Sequence, residues 1–418
     1  MSLVSIISAC ITRKICVIRE LNSHITRVII ASMIKRCIEK EFLSLLKEYP
    51  VVTLLGPRQA GKTTLAKELL PQYTYSNLEV PDVRGFASED PKGYLAQFKD
   101  NVIIDEIQRV PDLLSYIQVL VDEKNTPGQF VVTGSHQMEL RSAISQSLAG
   151  RTAILHLLPL SITELADAGI NYTSFEEYAF RGFLPRIHDK AMRPSTAYSN
   201  YYQTYVERDV RLIINLKNVS QFEKLMMLIA GRVGQLVDYT SLANDVGVTA
   251  NTIRDWISIL EASYIVFKLP PYFENFGKRV IKAPKYYFTD VGLLCFLLGI
   301  RKAEQISRDP LVGSIFENLV ILEALKERYN NGEMAGLYFF RDNHGNEVDL
   351  IAKHGRQIIA AEIKSAATFK TAMLKGLMRF NDIATSKPRS YLIYNGDPFQ
   401  LSNGTQVCHY SDTHSIFS

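Results

Sequence analysis

Between Gly56 and Thr63 the sequence reads GPRQAGKT, which fits the pattern G-x-x-x-x-G-K-[ST]. Its two glycines let the backbone of Gly56, Pro57, Arg58, Gln59, Ala60 and Gly61 curl, so that successive N–H groups and the start of the following helix point at phosphate oxygens. Lys62 then neutralises charge on the β- and γ-phosphates, and the Thr63 hydroxyl, with Thr64 beside it, is placed to ligate magnesium. Such a site needs a carboxylate for the metal and a second for the attacking water. The apolar run Val102, Ile103, Ile104 ends in Asp105 and Glu106 and supplies both. Asp105 is expected to hold magnesium, directly or through water, and Glu106 to polarise the water. A third apolar run, QFVVTGS at 129–135, ends in Thr133 and Ser135, the candidates for contact with the γ-phosphate. The combination predicts binding and hydrolysis of ATP with Mg2+ as cofactor. No N-K-x-D motif is present to read guanine, and an acid that activates water favours hydrolysis over transfer to an acceptor.

A second set of chemistry-bearing residues lies near the C-terminus. In YFFRDNHGNEVDLIAKHGRQIIAAEIKSA, from 338, a strand, a turn and two further strands follow one another. Alternation puts Glu347 and Asp349 on one face of the second strand, and Glu362 and Lys364 on one face of the third. A turn at His354-Gly355 brings those acids together. An Asp followed thirteen residues later by Glu-x-Lys resembles the PD-(D/E)XK nucleases, in which two carboxylates hold magnesium against the scissile phosphate and the lysine orients water. Glu317, in the upstream helical stretch SIFENLVILEAL, fits the additional metal-binding acid of such folds. The same pattern also arises in hairpins without activity.

These residues need rigid supports. Short apolar runs near 51–55, 73–78, 101–105, 129–133 and 153–158, separated by helical stretches, predict a parallel sheet covered on both faces. Residues 236–268 carry a helix SLANDV, a turn at Gly247-Val248 and a helix ANTIRDWISILEA capped by Thr249, a helix-turn-helix with apolar wing strands at YIVFKL and 285–290. Asn251, Thr252 and Arg254 on the second helix, with Lys278, Arg279, Lys282 and Lys285 in the wing loop, offer a DNA-facing surface. Internal packing between flanking domains is the competing reading. The fold class is therefore α/β: a P-loop parallel-sheet ATPase core, a winged-helix segment and a C-terminal α/β restriction-endonuclease-like domain. The boundaries fall at 1–32 (extension), 33–165 (ATP-binding core), 166–230 (helical linker or lid), 231–300 (winged helix-turn-helix) and 301–418 (nuclease-like).

At 418 residues the chain exceeds what one core supports, and 47% hydrophobic against 22% charged residues describes a folded, water-soluble protein. A formal charge of +4 confines any DNA or RNA surface to a local patch. Five cysteines without a CxxC pair suit a reducing, cytoplasmic setting and no structural zinc. Charged residues break the apolar text of residues 1–32, so it does not span a membrane. The amphipathic helix after Met33 leads straight into the first strand, which makes Met33 a candidate start and 1–32 a dispensable, non-native extension.

The segments GPRQAGKTTLAKEL, NLE at 77–79, VIIDEIQRVPDLL, VVTGS, SLAGR at 147–151, LPLSITEL and YVERDV at 205–210 together resemble a group of prokaryotic AAA-class ATPases. Members of that group carry a C-terminal domain named only as a domain of unknown function. The resemblance covers nearly everything from Met33 onward and implies ATP binding. Arg151, Arg208 and Arg211 are the arginines that could reach the γ-phosphate, in this chain or a neighbour within a homo-oligomer. An ion-paired helix face is the other reading of Glu207, Arg208, Asp209 and Arg211. Two functions remain open: an ATPase coupled to a nuclease-like domain acting on nucleic acid, or an ATP-dependent signalling or scaffolding protein whose C-terminal domain binds partners.

Overall fold

Short β-branched runs form the first sheet of the computed structural model, which describes residues 34–124, 126–135, 143–144, 146–205, 219–273, 282–355 and 357–417. The expectations placed on residues 1–32, on Glu207, Arg208, Asp209 and Arg211, and on Lys278 and Arg279 lie outside the described residues. From Arg36 onward the chain forms one compact unit.

Strands β1 (Val51–Leu55), β2 (Thr74–Asn77), β3 (Val102–Asp105), β4 (Phe130–Gly134) and β5 (Thr152–His156) lie in the order β2-β3-β4-β1-β5. All are parallel, as helical crossovers dictate. Every residue of β1, β3 and β4 is buried, which is why these strands read as continuous apolar runs. The register opposes Leu55 to Gly134 and His156, and Asn77 to Asp105. The ends of β1, β3 and β4 therefore meet on one edge. Ile38, just before the helix Glu39–Leu45, Phe42 within it, and Leu65 and Ala66 from the helix Lys62–Leu69 pack on Val52, Leu54, Ile103 and Val131.

A helical stretch follows, and then the helix Tyr239–Val246, Gly247 in the left-handed region (φ 85°), and the helix Ala250–Ala262. The Thr249 side chain caps the second helix by accepting from the Thr252 N–H at 3.1 Å. A two-stranded antiparallel ribbon, β6 (Val266–Leu269) and β7 (Lys285–Phe288), comes next. Asn251 and Arg254 are exposed and hydrogen-bonded to each other. Lys285 departs from expectation. It is buried, not part of a basic surface, because its side chain crosses into the C-terminal domain and pairs with Glu317 and Glu347.

The C-terminal domain is a six-stranded mixed sheet in the order β12-β13-β11-β10-β9-β8. Its strands are β8 (Leu337–Arg341), β9 (Glu347–His354), β10 (Gln357–Lys364), β11 (Arg389–Tyr394), β12 (Phe399–Gln400) and β13 (Gln406–His409). β12 and β13 are additions the sequence pattern did not suggest. Leu377 and Phe380 of the helix Lys375–Ile383 pack on Phe340, Val348, Ala360 and Leu392. The long helix Val312–Asn330 is buried along much of its length, from Ile315 to Asn330. No helix among the described residues is long and apolar enough to cross a membrane.

Candidate functional site

The loop between β1 and its helix is shaped by close backbone approach. A Cβ on Gly56 would stand 2.0 Å from the Leu157 carbonyl oxygen, so no other residue fits there. Gln59 (φ 63°) and Gly61 (φ 95°) are left-handed, which turns the loop over the start of the helix Lys62–Leu69. Arg58 lies 3.6 Å from Glu79, itself 3.6 Å from Arg109. Thr64 is exposed one residue beyond Thr63.

Lys62 is 5% exposed and donates to the carbonyls of Gly56 (2.9 Å) and Pro57 (2.8 Å), reaching Ser135 Oγ at 3.5 Å. Burial pulls its pKa down to about 8, against the pull of Glu106 and Asp105. Thr63 Oγ1 donates to both Asp105 carboxylate oxygens at 3.0 Å. Tyr75 donates to Asp105 Oδ2 at 2.8 Å, and the Thr133 hydroxyl bonds Oδ1. Glu106 sits in the left-handed region (φ 59°), a conformation that costs a non-glycine residue on the order of 1 kcal/mol and turns its carboxylate over the β4 end. There it accepts from Ser135 Oγ at 3.0 Å. The Thr63 hydroxyl and the Asp105 carboxylate, facing each other, form an all-oxygen pair suited to a hard cation such as Mg2+.

Arg151 is a correction. It precedes β5, whose register matches Thr152 to Val51, so it lies at the opposite end of the sheet from the loop. Its guanidinium is engaged by Asp122, with Nη2 to Oδ2 at 2.9 Å. It is no nucleotide contact within its own chain. Tyr75 was missed because a tyrosine on a short, partly exposed strand carries no motif.

In the C-terminal domain the pairing of β9 with β10 opposes Leu350 to Ala361, and the next pair in that register is Asp349 with Glu362. Lys364 Nζ lies 2.9 Å from Asp349 and 3.1 Å from Glu362. Asp349 also accepts from the Ile363 N–H at 2.8 Å. Burial, then the Asp349 charge, push the Glu362 carboxyl well up. Burial opposes ionisation of Asp349 too, but Lys364, together with Lys285 and the hydrogen bonds from its neighbours, holds that carboxyl down.

Glu317 is the third acid expected here. It comes within electrostatic range of Asp349, yet its oxygen accepts from Lys285 (3.1 Å) and from the Tyr287 hydroxyl. Among the described residues no group of three or more His, Cys, Asp or Glu side chains is arranged to hold a metal ion.

Comparison with known proteins agrees with the loop geometry. An AAA domain model matches residues 48–166, and two domains of unknown function, DUF8612 and DUF4143, match 172–304 and 312–412. The uncharacterised protein Rv2008c of Mycobacterium tuberculosis is 30% identical over 364 residues, covering 86% of this chain and 79% of its own. An uncharacterised protein of Haemophilus influenzae is 25% identical over 302 residues, covering 69% and 71%. The Walker-type ATPase of Pyrococcus abyssi aligns over 62% of this chain and 94% of its own at 12% identity, with a TM-score of 0.38. With an AAA-class ATPase domain at its N-terminal side and a domain of unknown function at its C-terminal side, the chain belongs to the protein family represented by Rv2008c.

Proposed function

We propose that this protein hydrolyses ATP, using the Gly56–Thr63 loop to hold the phosphates, Lys62 to neutralise their charge and Glu106 to polarise the attacking water. Thr63 and Asp105 would hold a magnesium ion, which would supply neutralisation of phosphate charge. The observation that carries this reading is the Thr63 hydroxyl on both Asp105 oxygens, which ties the phosphate loop to the acid-bearing strand. Lys62 donates to the Gly56 and Pro57 carbonyls of its own loop, contacts for which a phosphate would compete. Ser135, between Lys62 and Glu106, is placed to register the γ-phosphate. ATP turnover in magnesium, compared between the wild type, Lys62→Ala and Glu106→Gln, tests the assignment; equal rates in all three would reject it.

For the C-terminal domain we favour a partner-binding role over metal-dependent cleavage, since Lys285 neutralises Glu317 and Glu347. Convergence of Asp349, Glu362 and Lys364 supports a second reading, a nuclease-like domain acting on DNA or RNA. ATP turnover with and without DNA separates the two, because only the nucleic-acid reading expects stimulation. Assembly into a homo-oligomer and a cytoplasmic location fit either reading.

A further inference from the structure

Arg36 belongs to none of the motifs above, yet its guanidinium is 95% buried beneath the phosphate loop, since only 5% is exposed. Nη1 donates to the Ala60 carbonyl at 2.8 Å, Nη2 to the Leu158 carbonyl at 2.6 Å, and Nε lies 3.1 Å from Glu164 Oε1. Glu164 is itself fixed. It accepts from the Cys37 N–H at 2.8 Å and, through its other oxygen, from the Ser161 N–H at 2.9 Å, closing the capping box of the helix Ile162–Asp167. Either side of that cap, Lys326 donates to the Leu160 carbonyl at 2.6 Å and Glu323 accepts from the Ile162 N–H at 2.8 Å.

We propose that Arg36 is a positioning residue of the nucleotide site, setting the direction of the Ala60–Gly61 peptide. This rests on the reading that the loop binds ATP. In a trans peptide the C=O and the next N–H point in opposite directions. Holding the Ala60 carbonyl down against Arg36 therefore turns the Gly61 N–H up into the concave side of the loop, where phosphate oxygens sit. The planar guanidinium donates in two directions at once, to Ala60 and Leu158, while its Nε edge faces the Glu164 carboxylate as an ion pair. A lysine can keep one of them. The fixed charge on Glu164 holds the arginine in place, and the helix Val312–Asn330 holds Glu164's cap, so the C-terminal domain underwrites the loop.

The test measures the KM and kcat of ATP hydrolysis, and the melting temperature with and without ATP, in full-length Arg36→Met, Arg36→Lys and Glu164→Gln. Arg36→Met is expected to raise KM roughly tenfold or more, the loss of charged hydrogen bonds to the loop, with a smaller change in kcat. Arg36→Lys should recover part of that loss and Glu164→Gln should shift KM in the same direction. A residue that only supports the fold would lower the melting temperature without this split. Should Arg36→Met fail to fold, wild-type KM in both folded Arg36→Lys and Glu164→Gln overturns the proposal. Lys62→Ala runs alongside: if it too keeps wild-type KM, the nucleotide reading itself fails, whereas its loss with an unaffected Arg36→Met refutes only the role of Arg36.

Discussion

Thr63 and Asp105 are separated by 42 positions, and the threonine hydroxyl meets both oxygens of the carboxylate at 3.0 Å. The contact follows from sheet order. β4 stands between β1 and β3, so the loop leaving β1 curls over the β4 end to reach the acid that terminates β3. Chemistry that requires residues from separate strands is thereby assembled at one edge, where parallel strands leave their C-terminal ends.

Lys62 makes contacts with loop carbonyls that ATP must replace. Lys62→Ala is expected to abolish the thermal stabilisation given by ATP, a linkage effect of about 2.7 kcal/mol at a hundredfold excess over the dissociation constant. Differential scanning fluorimetry with and without MgATP measures it.

Glu106 separates binding from chemistry. Glu106→Gln should retain ATP and slow hydrolysis on the order of a hundredfold, read by single-turnover kinetics alongside a binding isotherm. Normal turnover would move the base to another residue.

The depressed Lys62 pKa, about 8, predicts a pH dependence for ATP binding. Below about 8 the ammonium is charged and ready for phosphate. Above it, in the nucleotide-free protein, the amine is neutral and binding must take up a proton, so affinity falls by up to about tenfold per pH unit. The sign for folding is opposite: burial penalises the charged form, so this group's penalty is full below about 8 and is relieved as pH rises from there towards the ordinary lysine range. Titration calorimetry near pH 8.5, in buffers of different ionisation heat, should register proton uptake on binding. No uptake would contradict the assignment.

The pair Glu323 and Lys326, 4% and 2% exposed, is buried at the contact with Leu160 and Ile162. Lys326→Met leaves a buried carboxylate without its cation and should cost about 3–5 kcal/mol, whereas Glu323→Gln combined with Lys326→Met should cost less than the single change. Urea unfolding of the three proteins decides between this and a negligible pair.

No divalent-metal-dependent cleavage of DNA or RNA is expected of the wild type, because Lys285 already neutralises Glu317 and Glu347 beside the Asp349–Glu362 pair. Cleavage that disappears in Asp349→Ala and Lys364→Ala would reverse this and establish a nuclease.

Local pattern made the five parallel strands legible, along with the helix, Gly247 turn and Thr249 cap, and the approach of Asp349 to Glu362. Each depends on periodicity, a turn residue or a motif read within a short window. What stayed hidden was tertiary. Arg36 and Glu164 lie 128 positions apart and meet only once β5 and the phosphate loop are in place, as 164 − 36 shows. Lys285 read as one more basic residue of a wing loop, because nothing in its neighbourhood announces that its acids come from Glu317 and Glu347. Arg151 misled for the same reason: its spacing from the loop was visible, but the end of the sheet it occupies is fixed only by register.

The helix Val312–Asn330 does more than cover a sheet. Asn318 presents its side-chain amide to the Phe288 N–H and C=O at 2.8 and 2.9 Å, mimicking a further strand on the ribbon, while Glu323 and Lys326 satisfy backbone groups next to β5. Severing the chain between the segments matched at 172–304 and 312–412 would leave those backbone groups orphaned and uncover apolar surface on both fragments. The three family segments are thus expected to unfold as one cooperative unit. Proteolysis should yield no long-lived ATPase fragment, and the C-terminal segment cannot be exchanged for another without redesigning the surface on which this helix rests.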